Sequence, residues 1–511
     1  MSYQHYERQY DFSGGMNNRD ANALLQDNES PEMCNVSLGR RGTFETRPGT
    51  VLFRSEPVSE GEPVTSLYEF VDEDGTSHFI AFAGDELKVA TPTGWDEITN
   101  DNGGLTRGSR LEFAPNPIIK KALFVNGADG YFETDAEEYG EVAPYEPEGD
   151  EPTEIGDCAI PGEPKLIAYH QGRVWLGNVG DYPDRVYFSV NDINGNRLYN
   201  YFTTTMFVRL ANSKGEGVTA LVNFRERLYI FTRTTISVVV GGAVIDDIVQ
   251  HSIDDTVGAV SQRAVHVFGN YMIFMAVDGV YIFDGANPPM KVSTRIPETT
   301  GRISTANKDD SCAVMYQGKY YLSVPESTTN NMTLVYDTEV VPLTYIGEKH
   351  SYVNSPWMMH RGYTPTQWLA ALDQNLYFAS DDGYIYQYGI GDTDAGRPIN
   401  AYLTTKFIDL QMPDRTKRVR RLILDAQREK DSFIRVDYKI DAEDNDWKLF
   451  RENIDLSQPI DRMFFYFPDG RGPLCRKIAF KFSTVYTGSK FRINGFTLDM
   501  AVHGHQEERS G

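Results

Sequence analysis

The chain has 511 residues, with 49 Lys+Arg against 73 Asp+Glu for a formal charge of −24, and 40% apolar residues. That length excludes a single small fold and suits two to four domains of about 150 residues each. The 44 Gly and 25 Pro mark a turn-rich globular chain rather than a fibrous or disordered one. Strong acidity argues against a sequence-reading nucleic-acid binder, because such proteins draw much of their affinity from neutralising phosphates.

Residues 1–11 lack the basic-then-apolar layout of a secretory leader. The most apolar stretch, residues 235–245, is shorter than the about 20 residues that a bilayer-crossing helix needs. The sequence therefore predicts a chain made in the cytoplasm with no membrane-spanning segment. Residues 1–62 read as an N-terminal arm with the first strands, ending in Arg47-Pro48-Gly49, where Pro-Gly marks a turn.

Next comes a degenerate repeat: an apolar strand, a tight turn, and a second strand rich in Tyr and Phe, often followed by another turn and strand. The clearest copies are residues 165–190, 218–240, 264–285, 311–337 and 368–389, and weaker relatives occupy 78–90 and 120–131. Gln171-Gly172, Gly269-Asn270, Gln317-Gly318 and Gln374-Asn375 supply the positive φ that tight hairpins require. The landmarks Gly172, Glu226, Asn270, Gly318 and Asn375 lie 54, 44, 48 and 57 residues apart. Four short strands with their turns fill about 40 to 50 residues, the period of a propeller blade. An all-β fold follows, with a β-propeller of six to eight blades over residues 63–395; the competing architecture is a set of unrelated antiparallel sandwiches. Within it, residues 135–154 are acidic and proline-rich and read as a solvated loop. Residues 396–505 show alternating strands without the blade spacing, as a compact C-terminal β-sandwich requires, and residues 506–511 form a polar tail.

No catalytic constellation emerges. GxSxG, HExxH, P-loop and strand-to-helix GxGxxG patterns are absent, and Ser380-Asp381-Asp382-Gly383 lacks the register and the Trp of a sialidase-type box. A glycosidase pair of carboxylates cannot be picked out of 73 acidic residues. We therefore assign no catalytic residue, cofactor or metal and expect a non-enzyme. Residues 72–75, 192–196 and 441–446 are rich in oxygen ligands but lack a twelve-residue calcium loop, so ordinary turns account for them. His503 and His505 fall in a polar terminus. Cys34, Cys158, Cys312 and Cys475 are widely spaced and read as reduced structural thiols.

One basic group stands out against the acidic background: Arg415, Lys417, Arg418, Arg420 and Arg421. Strand alternation puts Lys417 and Arg421 on one face and Arg418 and Arg420 on the other. Three readings apply: a charge-protected strand edge, a contact to an acidic surface of a neighbouring subunit, or direct nucleic-acid binding.

The opening Phe12-Ser13-Gly14-Gly15, then Asn18, Asn35 and the stretch ending in Arg47-Pro48-Gly49, resembles the start of bacteriophage tail hub, or nozzle, proteins. Residues 168–175 followed by 185–189, and Phe407-Ile408-Asp409-Leu410 with Lys417-Arg418, are similar to the same family. The resemblance implies a non-enzymatic virion component, a propeller-bearing subunit arranged as a ring, commonly of six copies. Its implied partners are other copies of itself, the phage adaptor and portal, tail fibre or tip proteins, and double-stranded DNA passing without specific binding. The acidic composition fits, because an acidic lumen repels phosphates over a Debye length of about 8 to 10 Å. Two other readings come from the residues: a carbohydrate-binding or glycan-cleaving propeller, suggested by abundant Tyr and five Trp, and a receptor-binding or baseplate protein of the same virion.

Overall fold

The structure, a computed structural model, describes residues 2–39, 42–100, 103–116, 118–146, 158–191, 195–210, 214–241, 247–339, 355–429, 432–458, 463–468 and 470–503. The described chain is almost entirely β. Six four-stranded antiparallel sheets follow one another along residues 64–97, 112–141, 164–209, 220–254, 265–291 and 312–360. A closing sheet takes Pro365–Ala370, Leu376–Ser380 and Ile385–Tyr388 and completes itself with Thr50–Leu52 from the N-terminal segment, Leu52 pairing with Tyr386 and Thr50 with Tyr388. The first strand of each sheet touches the first strand of the next, and Pro365–Ala370 returns to Val64–Val71. The sheets therefore stand radially around one axis, which is the architecture of a β-propeller.

Radial stacking explains the local sequence. The middle strands are covered on both faces by neighbouring sheets, so they read as apolar runs rather than as alternation. In the fifth sheet, every residue of Gly279–Phe283 is buried, and so are Met272 to Ala276 of the strand beside it. All seven repeats fall within these sheets, and Gln171, Glu226, Gly269, Gln317 and Gln374 adopt the positive φ expected of the hairpin turns. The acidic stretch differs from the expected loop: Tyr139–Glu141 is the last strand of the second sheet, held by the buried Tyr139, while residues 147–157 lie outside the described set.

Arginines hold the ring together from inside. Arg263, just ahead of the fifth sheet, reaches the first strands of the first and second sheets. Its Nε donates to Glu112 at 2.8 Å, and its terminal nitrogens donate to Thr65 O at 2.6 Å, Ser66 Oγ at 3.1 Å and Leu111 O at 3.0 Å. Arg110, ahead of the second sheet, pairs with Asp310, ahead of the sixth, at 2.7 Å, and Arg233 of the fourth sheet pairs with Asp309. The Arg263 and Arg110 contacts join sheets on opposite sides of the ring and Arg233 joins the fourth sheet to the sixth, all at the end where the first strands begin.

The remaining residues build two further sheets. One has the order Met33–Cys34, Tyr402–Thr404, Ile478–Thr484, Phe433–Ile440, Lys448–Asp455. The other is seven-stranded and centres on Arg492–His503, which pairs with Ser2–Gln9, Phe44–Thr46 and Lys417–Ala426. The two face each other across aromatic contacts, Phe44 to Phe482 at 5.8 Å, Phe480 to Phe496 at 6.0 Å and Phe482 to Phe496 at 5.5 Å. The N-terminal segment thus supplies strands to both of these sheets and to the propeller. One apolar core runs continuously from the last propeller sheets through Met33, Val36 and Phe44 into the C-terminal sheets.

Candidate functional site

Four of the five basic residues belong to an interior strand and Arg415 lies two residues before it, which removes the strand-edge reading. Lys417–Ala426 is flanked by Arg492–His503 on one side and by Phe464–Tyr466 and Leu474–Cys475 on the other. A bulge sits at Arg420: Val419 pairs with Met500 and Arg421 with Asp499, leaving Arg420 without an opposite residue. An extra residue reverses the alternation beyond it. Lys417 and Arg421 consequently do not share a face; Arg418 and Arg421 do, and the apolar Val419, Leu422, Leu424 and Ala426 all turn to the core.

Each of the five has a distinct environment. Lys417 is 1% exposed, and its Nζ donates to three carbonyls, Met412 at 2.6 Å, Arg415 at 2.9 Å and Arg476 at 2.7 Å. Burial lowers its proton affinity, and its task is to satisfy backbone acceptors at the end of the sheet. Arg418 donates to Gly472 O at 3.2 Å. Arg421 pairs with the buried Asp499 at 2.9 Å, and Asp499 also accepts from Gln4. Arg415 is half-buried and Arg420 is exposed. Only Arg415, Arg418, Arg420 and Arg421 can reach a second molecule.

The bare face that carries Arg418 and Arg421 also carries aromatic residues that the sequence reading passed over. Tyr6 is 47% exposed, Phe464 44%, Tyr466 58% and Leu474 49%. The register places Tyr6 beside Asp499, Tyr466 and Phe464 beside Arg421 and Ile423, and Leu474 beside Arg418. The Arg421 guanidinium lies 5.8 and 5.9 Å from the Phe464 and Tyr466 rings. Arginine and exposed aromatics together are the composition of a protein-contact patch. The alternation of Gln4, Tyr6, Arg8 and Tyr10 was a visible signal, since all four turn outward.

A second constellation lies at the seam with the propeller. Arg47 is 1% exposed; two of its nitrogens grip Asp394 at 2.9 and 2.5 Å, its Nε donates to Asn35 Oδ1 at 2.9 Å, and it lies 4.8 Å from the Tyr363 ring. Asn35, at φ +54°, also accepts from Arg361 N and donates to Asn400 O. Gly49 passes so close that a Cβ would lie 2.2 Å from Thr393 O. Gly15, at φ +70°, would set its Cβ 2.5 Å from the Pro356 Cβ, and Asn18 binds Thr299 Oγ1 at 2.6 Å.

Among the described residues, no group of three His, Cys, Asp or Glu could hold a metal ion. Asp72 is an ordinary turn residue, bound to Thr76 N at 2.9 Å and paired with His78 at 2.7 Å. Asp441 accepts from Arg476 N and Lys477 N. Residues 192–194, His505 and the tail at 506–511 lie outside the described set. The cysteines are free, and burial pushes the Cys34 thiol up to about 11. A cleft of 500 Å³ opens at the seam, with Trp447, Phe407, Arg302 and Glu298 among its walls.

No family model and no curated protein matches this chain. Solved structures with a similar course include U3-55K, at 8% identity and TM-score 0.42 over 67% of this chain and 98% of that one. YCF48 from Cyanidioschyzon merolae is similar at 9% identity and TM-score 0.38 over 65% and 98%. The WD40 β-propeller domain of Doa1 is similar at 11% and 0.36 over 67% and 97%. No described helix is long and apolar enough to cross a membrane.

Proposed function

We propose that this chain is a non-enzymatic structural subunit of a bacteriophage tail, a ring-forming hub or nozzle component that extends the portal-adaptor channel for DNA exit. On this reading the ring of sheets is a seven-bladed propeller whose last blade is closed by Thr50–Leu52, and the two C-terminal sheets are an antiparallel sandwich. One observation carries it. Five of the residues on which the resemblance rests, Gly15, Asn18, Asn35, Arg47 and Gly49, couple the N-terminal segment, the propeller and the C-terminal sheets. A subunit under mechanical load needs such coupling at the seam between its parts. On this reading the DNA path runs between copies rather than through one propeller, a choice supported by Arg263 and Arg110, which bridge sheets across the propeller axis. Ring closure needs two different complementary patches on each copy, and the arginine-aromatic face supplies one of them.

Negative-stain imaging of the purified chain, with mass spectrometry of virions from an infected host, tests the reading. Rings in the first and the chain among virion proteins in the second are expected; absence from particles ends it. The carbohydrate reading keeps one observation of its own: Trp447 borders two clefts, of 500 and 380 Å³. A glycan array with a reducing-sugar assay removes it if neither binding nor release is seen.

A further inference from the structure

Opposite the end closed by arginines, a cleft of 240 Å³ lies where the first strands of the first and second sheets finish. Its walls include Tyr68, Glu69, Val71, Asn116, Lys120 and Leu372. One buried hydrogen-bond donor on these walls lacks an acceptor, and two solvent-accessible donors stand beside it. Asn116 is 1% exposed, and its amide nitrogen has no partner, although its Oδ1 accepts from Ile118 N at 3.0 Å. The Tyr68 hydroxyl and the Lys120 ammonium have no hydrogen-bond or ion-pair partner among the described residues. A buried donor left unpaired costs the folded state the desolvation of that group, so such atoms in native proteins are ordinarily matched by something.

The acceptors of the cleft are, by contrast, already taken. Glu69 receives Ser77 Oγ at 2.6 Å and Leu372 N at 2.7 Å, and the neighbouring Lys121 is spent on Glu133 at 3.4 Å. The unpaired Asn116 amide therefore calls for an acceptor, at a place where the exposed Lys120 ammonium and the Tyr68 hydroxyl can donate to the same group. The fixed carboxylate of Glu69 on the same wall disfavours a dianion such as phosphate. The other walls are apolar: Leu372 is 62% exposed and Val71 44%, and Tyr68 stacks on Phe113 with centroids 4.7 Å apart at 5°. Burial pushes the Tyr68 phenol up to about 12, so it stays a donor at neutral pH.

We infer that this cleft binds a monocarboxylate whose body is about the size of one six-membered ring, the carboxylate receiving Asn116 Nδ2, Tyr68 Oη and Lys120 Nζ and the body resting on Leu372 and Val71. An acidic sugar and an aromatic acid share that chemistry. The site does not depend on ring assembly, and its failure would leave the tail reading untouched.

Isothermal titration calorimetry of the full chain with sodium glucuronate, sodium benzoate, glucose and inorganic phosphate tests it. Saturable binding of glucuronate or benzoate is expected, whichever is tighter identifying the body, with glucose and phosphate at least about tenfold weaker. Lys120→Ala, at an exposed position, and Tyr68→Phe, which keeps the ring stack, should each weaken binding by about three- to tenfold. Asn116→Asp keeps the acceptor for Ile118 N while removing the donor and should abolish binding. No saturable heat from either carboxylate, equal affinity for glucose, or unchanged affinity in Lys120→Ala overturns the inference.

Discussion

Arg47 shows how much one residue can hold in this chain. Its side chain is fully buried, Asp394 beside it is nearly so, and the guanidinium also carries Asn35, Pro48 O and Arg361 O. Removing one partner of a buried ion pair leaves the other charge uncompensated, which costs about 3–5 kcal/mol. Arg47→Met should therefore destabilise the chain by about that amount in urea unfolding followed by fluorescence, with Arg47→Met/Asp394→Leu recovering part of it. A result for the single variant below about 1 kcal/mol would show that the seam relaxes around the loss. Nearby, His360 is 1% exposed and touches Val36 O, Tyr363 and Tyr388; burial, reinforced by Arg47 and Lys319, holds its proton affinity well below the usual histidine range. Its folded pKa is depressed, so below about pH 6.5 the unfolded chain takes up a proton that the folded one refuses. Stability is then lost as pH falls, by up to about 1.4 kcal/mol per unit for this group. His360→Gln should flatten the difference between unfolding midpoints measured at pH 7 and pH 5.5; an unchanged slope would mean other groups set it.

At the scale of elements, what was legible in the sequence depended on whether a local rule governed the segment. The hairpins could be read because Gln171, Gln317 and Gln374 announce turns with positive φ between apolar runs. Thr50–Leu52 could not, since three residues carry no period and their partner Ile385–Tyr388 lies more than 300 positions away. The bulge at Arg420 was hidden for a related reason: alternation assigns faces only while both strands keep register, and the partner strand Arg492–His503 sets where that breaks. Lys417 accordingly looked like a surface charge and is a buried donor to three carbonyls. The Ser2–Gln9 strand reads in the sequence as part of an arm because the first 60 residues show little periodic apolar pattern. It covers one side of Arg492–His503 from Phe496 to His503. Deleting residues 1–10 would leave that side as a long, unpaired edge, a template for pairing between chains. The shortened chain should keep its propeller signature in circular dichroism while scattering light within hours at concentrations where the full chain stays clear. If it remains monodisperse, the N-terminal strand is dispensable and some other segment covers the edge.

For the whole molecule, the net charge and the arginine-aromatic face must be considered together. Copies at −24 repel one another, so any ring has to overcome that repulsion by local contacts, and salt acts on the two terms in opposite directions. Screening weakens the long-range repulsion between copies, and it also weakens the attraction of Arg418, Arg420 and Arg421 for an acidic neighbour. Tyr6, Phe464, Tyr466 and Leu474 are insensitive to screening because their contribution scales with buried apolar area. An interface resting on the aromatics should therefore strengthen or hold as salt rises from about 0.05 to 0.5 M, where the Debye length shrinks several-fold. One resting on the arginines should weaken over the same range. Tyr466→Asp places a charge among residues that an aromatic contact must desolvate, and should reduce assembly at every salt concentration. Arg420→Glu reverses an exposed charge at the bulge without touching the core and should reduce assembly mainly at low salt. Mass photometry of the two variants and the parent chain across that range separates the terms. If neither substitution changes the population of assemblies, this face is not the one through which copies meet, and the complementary patch has to be sought on the propeller rim.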